Sequence, residues 1–150
     1  MQFTKRKIIK GGLTLLALTS VPRMLLAAAW PQKTFSSNAA NEAMVTLLGT
    51  DVSTPSDRID LKLPQIAENG AVVPVEISTT LGDVELIGIV VKNNPRPMAA
   101  TFEIPVGTLP KIATRIKMGQ TSEVMAVVKT SHGIYSATKE VKVTIGGCGG

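Results

Sequence analysis

Few side chains in this sequence could carry chemistry. There is one cysteine, Cys148, third from the end in "GGCGG". There is one histidine, His132, in "TSHG". A thiol and an imidazole can serve as nucleophile and base, but the base must hold a fixed hydrogen bond to the nucleophile. Gly146, Gly147, Gly149 and Gly150 give the thiol no fixed place, because glycine loses more backbone freedom on ordering than any other residue. His132 reads as an exposed residue of a hairpin turn. One His and one Cys, 16 positions apart, make a poor metal site, so no metal and no cofactor are expected. Asp57 and Asp60 lie in or beside a turn, and Asp83 and Glu85 flank a strand start, all reading as solvated surface. No glycine-rich loop follows a strand and opens a helix, as a phosphate cradle would.

What remains is a thiol on a tether. A lone cysteine is most often a small buried hydrophobe, but these glycine neighbours offer nothing to pack. Three residues beyond Ile145, the thiol has a reach of roughly 10 Å when extended. A thin arm of this kind can thread a thiol into a narrow pocket of another protein and cannot preorganise a site of its own. Two readings stay open: a presented thiol, or a tail without function. No cation nearby in sequence lowers the thiol pKa from its ordinary value of about 8.5, so activation falls to whatever receives the arm. Prenylation needs the cysteine fourth from the end.

The rest of the chain must position that tail. Its 150 residues suit one domain, 44% hydrophobic and only 3% aromatic, so Val, Ile, Leu, Ala and Met must build the core. The net charge of +5 is concentrated at the start. Residues 1–29 hold Lys5, Arg6, Lys7, Lys10 and Arg23 and no acid, leaving 11 basic and 11 acidic residues beyond. That balance argues against a nucleic-acid partner, which needs clustered surplus charge. The first 29 residues have the anatomy of an export signal: basic "TKRKIIK", apolar "GGLTLLALTSV", then "LLAAAW" with small residues at Ala27 and Ala29. The apolar run is shorter than the roughly 20 residues a bilayer span takes. "TKRKIIK" resembles the twin-arginine consensus, with Lys5 in place of the first arginine. The expected organisation is a signal peptide over 1–29, a domain over 30–145 and an arm over 146–150. The mature chain is expected to start near Trp30 and work in the periplasm, free of the membrane.

Within the domain, "SSNAANEAMVTLLG" (36–49) predicts one short helix. Ser37 or Asn38 would cap it, Gly49 would end it, and Ala40, Met44, Leu47 and Leu48 form its stripe. Strand patterns follow at 59–63, 72–78, 84–93, 100–105, 112–118, 122–129 and 134–145. Pro74 suits an edge strand or a bulge. Val141, Val143 and Ile145 should point inward. About seven short strands at regular spacing predict an all-β, immunoglobulin-like β-sandwich with a short N-terminal helix and a flexible C-terminal arm. "NNPRP" (93–97) and "PQIAENGAVVPV" (64–75) are specific for loops and read either as turn structure or as docking surface.

Four stretches resemble one family: "PQIAENGAVVPVEI" (64–77), "VKNNPRPMAATFEI" (91–104), "TRIKMGQTSEVMAVVK" (114–129) and "KEVKVTIGGCGG" (139–150). The chain resembles the SoxY family, sulfur carriers of the periplasmic thiosulfate-oxidising Sox system. The resemblance implies that Cys148 is the carrier residue and that the chain is no enzyme. It implies a cycle in which a haem enzyme couples thiosulfate to the thiol and a hydrolase releases sulfate, leaving a persulfide. A sulfur dehydrogenase acts further in some organisms. It also implies a heterodimer with SoxZ, through an apolar or edge-strand surface to which "VELIGIVV" and "EVMAVV" are rich enough to contribute. Two other readings compete: a Cys148/His132 thiol hydrolase, and a ubiquitin-like sulfur carrier bearing a thiocarboxylate on its terminal Gly-Gly. The export signal speaks against the second.

Overall fold

A computed structural model describes residues 31–144. The expected signal peptide (1–29), Ile145 and the arm with Cys148 lie outside the described residues.

The helix expected over 36–49 forms over a shorter stretch, and a second short helix precedes it. α1 (Gln32–Ser36) follows Pro31, and α2 (Ala40–Leu48) follows Ala39. Ser37 does not open α2. It closes α1, where its N–H and its Oγ both donate to the Lys33 carbonyl, at 3.1 and 2.8 Å. A serine that can return to the i−4 carbonyl offers the chain an alternative to continuing the helix. The α2 N-cap is Ala39, which has no side-chain acceptor to offer. Gly49 ends α2 as expected, in the left-handed conformation (φ 82°), with its N–H on the Val45 carbonyl.

Among the described residues nine strands follow: β1 (Thr54–Pro55), β2 (Ile59–Lys62), β3 (Ile66–Ala67), β4 (Val73–Thr79), β5 (Val84–Val91), β6 (Met98–Glu103), β7 (Lys111–Ile116), β8 (Ser122–Thr130) and β9 (Gly133–Val143). Seven of them have four residues or more, as the turn spacing predicts. They form two sheets. The smaller has the order β2-β4-β7. The larger has the order β1-β9-β8-β5-β6, with β3 also paired to β9. This is the immunoglobulin-type division into an A-B-E sheet and a G-F-C-C′ sheet.

The alternation of apolar residues explains the packing. Ile59 and Leu61 of β2, Val73, Val75 and Ile77 of β4, and Ile116 of β7 face Ile87, Ile89 and Val91 of β5. Val124, Ala126 and Val128 of β8 and Val141 of β9 complete that inner cluster. Side chains of period two put one set on one face, and the inner set contains no charged residue. Val143, expected to point inward, is partly buried against the same cluster.

The middles of β5 and β8 are apolar on both faces, and the second face has its own cover. Val90, Met98 and Val127 pack against Ala43 and Met44 of α2, with Phe35, Leu47 and Met125 at the margin. Part of the apolar surface that the sequence offers to a partner is therefore taken by the chain's own helices.

Pro74 lies in the middle strand of the smaller sheet, not on an edge strand. It is tolerated because β2 pairs β4 only from Glu76 to Thr79, whereas Pro74 is opposite Arg115 of β7 alone. Locally that stretch of β4 is an edge, where a missing N–H costs no ladder bond.

Candidate functional site

The site suggested by the sequence is the tail beyond β9, so what matters is where β9 ends and how it is held. Strand ends without anchors fray. Here three successive backbone N–H groups are each bonded. Lys142 N–H donates to the Gln65 carbonyl at 3.0 Å, and Thr144 N–H to the Ala67 carbonyl at 3.2 Å. Between them, Val143 N–H donates to Oγ1 of Thr121 at 3.0 Å. The two flanks of β9 thus hold alternate residues: β3 runs parallel on one side, and the β7–β8 turn closes the other.

That turn is itself held. Asn94 donates through Nδ2 to the Lys117 carbonyl at 2.7 Å and accepts from Gly119 N–H at 3.0 Å. Asn93 donates through Nδ2 to the Thr121 carbonyl, and Gln120 donates through Nε2 to the Asn93 carbonyl. The asparagines of "NNPRP" therefore stitch the β5–β6 turn to the β7–β8 turn, the turn-structure reading of that stretch.

Gly70 of the other specific loop has a steric reason. A Cβ there would lie 2.3 Å from the Met118 carbonyl oxygen and 3.0 Å from Cγ1 of Val143. The close approach lets Met118 N–H reach the Gly70 carbonyl at 2.7 Å. Gln65, Gly70, Asn93, Asn94, Met118 and Thr121 form one clamp around the last residues of β9.

Cys148 is four residues beyond Thr144, so its Cα lies at most about 14 Å from that root. His132 is at the other end of β9, in a two-residue turn where Thr130 pairs Gly133. Its N–H donates to Oγ1 of Thr130 at 3.1 Å, and its Nε2 is 3.5 Å from Oδ2 of Asp83, both side chains being exposed. Eleven strand residues separate the two ends, roughly 35 Å at about 3.4 Å per residue. Within one chain that span exceeds the reach of Cys148, which speaks against the competing Cys148/His132 hydrolase reading.

The predicted surface carboxylates are likewise dispersed. Asp60 pairs Lys62 at 3.6 Å, Glu85 pairs Lys129 at 3.0 Å, and Asp57 is exposed. Among the described residues no group of three His, Cys, Asp or Glu side chains could hold a metal ion. An open recess of about 840 Å³ between Leu81, Val84, Ile104 and Pro110 lies at the His132 end. It too is far from the root of the tail.

The family described as "Sulfur oxidation protein SoxY" matches residues 44–148, a stretch that ends on Cys148. The chain belongs to the SoxY family. The sulfur carrier protein SoxY from Chlorobium limicola f thiosulfatophilum is 36% identical and superposes with a TM-score of 0.63. The match covers 69% of this chain and 94% of that one. An engineered protein matches at 17% identity and a TM-score of 0.40, over 58% of this chain and 20% of its own, too remotely to bear on function. No curated protein sequence matches the chain.

The clamp is what reading the sequence missed. The hydroxyl of Thr121 and the bareness of Gly70 matter only through residues far away in sequence, and no local pattern marks them.

Proposed function

We propose that this SoxY-family chain is a non-catalytic sulfur carrier of thiosulfate oxidation, and that Cys148 is the atom-bearing residue. The observation that supports this most is the rooting of the tail. The fold holds the chain through Thr144, and among the described residues no cysteine or histidine lies at that end of the sandwich. A carrier needs that division. A fixed root makes the thiol's reach definite, and glycines let it enter a recessed site. A thiol at its ordinary pKa stays mostly protonated at neutral pH and reacts only when a receiving enzyme activates it.

The cycle this supports begins when the thiol loses a proton and its sulfur bonds to the outer sulfur of thiosulfate. Two electrons leave to the haem of a conjugating cytochrome, giving Cys–S–S–SO₃⁻. Water then cleaves the bond to the sulfonate in a hydrolase, releasing sulfate and leaving the persulfide, a reversible cap on cysteine. Where the host has a sulfur dehydrogenase, that enzyme takes electrons from the outer sulfur of the persulfide as water adds oxygen to it, giving Cys–S–SO₃⁻, and hydrolysis then releases sulfate and restores the thiol. The chain works in the periplasm after removal of its first 29 residues, as a heterodimer with SoxZ.

Cys148→Ser tests the reading. In periplasmic extract that oxidises thiosulfate, the variant should fold, should keep its partner and should support no thiosulfate oxidation. Retained oxidation by the variant would sink the proposal.

A further inference from the structure

The clamp limits where the thiol can go, and that limit has a consequence for docking. Because the Cys148 Cα stays within about 14 Å of Thr144, an enzyme with a recessed active site must bring its mouth against the end of the sandwich that surrounds Thr144. The recess at the His132 end cannot serve, being some 35 Å away along β9.

The end around Thr144 has the composition of a contact surface. Ile66 and Val72 are exposed large apolar residues there, at 56% and 52%. Ile66 sits beside Lys142 in the β3–β9 register. The same end carries three exposed cations, Arg96 on the β5–β6 turn, Lys117 on the β7–β8 turn and Lys142 on β9. None of the three forms an ion pair among the described residues, whereas Lys62, Lys92, Lys111 and Lys129 each do. Glu68 is the exposed acid on the β3–β4 loop. The turns bearing Arg96 and Lys117 are joined by the Asn93 and Asn94 hydrogen bonds, so these cations stand on a preorganised surface.

We propose that this end, which carries Ile66, Val72, Arg96, Lys117 and Lys142, is the docking face for the enzyme that loads Cys148. The partner that fits it has an acidic rim around its active-site mouth. The proposal rests on the carrier reading. Charges outside a buried contact set association rate and its salt dependence more than final affinity, so loading should slow as salt rises.

The test compares the full chain with the triple variant Arg96→Glu, Lys117→Glu, Lys142→Glu, and with Lys33→Glu as a distant control. Each is incubated with thiosulfate and periplasmic extract of the host. Mass spectrometry follows the rate at which Cys148 gains thiosulfate-derived mass. Alkylation by neutral iodoacetamide, reaction with a small dianionic aryl disulfide and the melting temperature are measured in parallel.

The proposal expects the triple variant to load at least tenfold more slowly, with alkylation, disulfide reaction and melting unchanged and Lys33→Glu behaving as wild type. Loading at the wild-type rate would overturn it. So would an equal slowing of the dianionic disulfide, which would make the cations a site for small anions. If wild-type Cys148 gains no mass at all, the carrier reading fails and takes the docking face with it.

Discussion

Gly70→Ala isolates the contribution of the clamp. The backbone of Gly70 is not in the left-handed region, so alanine brings no dihedral penalty. Taken alone, the loss of unfolded-state freedom should stabilise the protein by about 0.4–1 kcal/mol. The structure predicts the opposite sign. The new methyl would lie 2.3 Å from the Met118 carbonyl oxygen and 3.0 Å from Cγ1 of Val143. The first contact is with backbone and cannot be relieved by turning a side chain. Overpacking of this kind costs about 1–3 kcal/mol. Parting the two segments also weakens the bond from Met118 N–H to the Gly70 carbonyl, worth about 1 kcal/mol. After the offset from the unfolded state, the expected loss is about 1–4 kcal/mol. For a domain of this size that lowers Tm by roughly 4–20 °C. Thermal unfolding by circular dichroism reads it, and hydrogen exchange at the Val143 amide should quicken together with the melt. A variant as stable as wild type, or more stable, would refute the close approach and with it the rigid root.

Met44→Ala tests the helical cover. Met44 is buried between α2 and the outer face of β5 and β8, so urea unfolding should show a loss of about 2–5 kcal/mol; a change below 1 kcal/mol would mean that α2 is not part of the cooperative fold. The charged outer face of the smaller sheet gives a pH dependence. Hydrogen bonds from Lys62 and Lys111 hold the Glu76 carboxyl below its ordinary 4.5, so its contribution is present above that value and is lost as pH falls through the lowered pKa. Hydrogen bonding to Glu76, and then its charge and that of Asp60, raises Lys62 above 10.5, so its contribution is present below that value and is lost as pH rises through the raised pKa. Lys62 is exposed and Glu76 only half-buried, so the slopes are shallow, and Glu76→Gln should flatten both limbs of the urea midpoint against pH; unchanged limbs would place the pH dependence elsewhere.

Much of this molecule is legible in its sequence, for physical reasons. The strands could be read because apolar residues alternate with charged ones, as in Ile59-Asp60-Leu61-Lys62, and one buried face enforces that period. Gly49 could be read because a helix ending in the left-handed conformation favours glycine. The break between α1 and α2 could not, since Ser37 is as good a cap as it is a terminator, and its bond to Lys33 decides between them. Pro74 signals an edge, but the edge arises from how far β2 extends along β4, a property of pairing. Thr121 and Gly70 are ordinary turn residues in sequence, and only the arrival of Val143 gives them a task. Cys148 stands apart: its place between glycines points in the sequence to chemistry rather than packing, and its role is the proposal made above.

The central claim is that Cys148 carries sulfur covalently between enzymes. Its most direct test is peptide-resolved mass spectrometry of the protein taken from cells oxidising thiosulfate. The account predicts thiosulfonate and persulfide masses on the C-terminal peptide containing Cys148, and their disappearance once thiosulfate is withdrawn. An unmodified C-terminal peptide during active oxidation, or sulfur adducts mapped to any other residue, would contradict it.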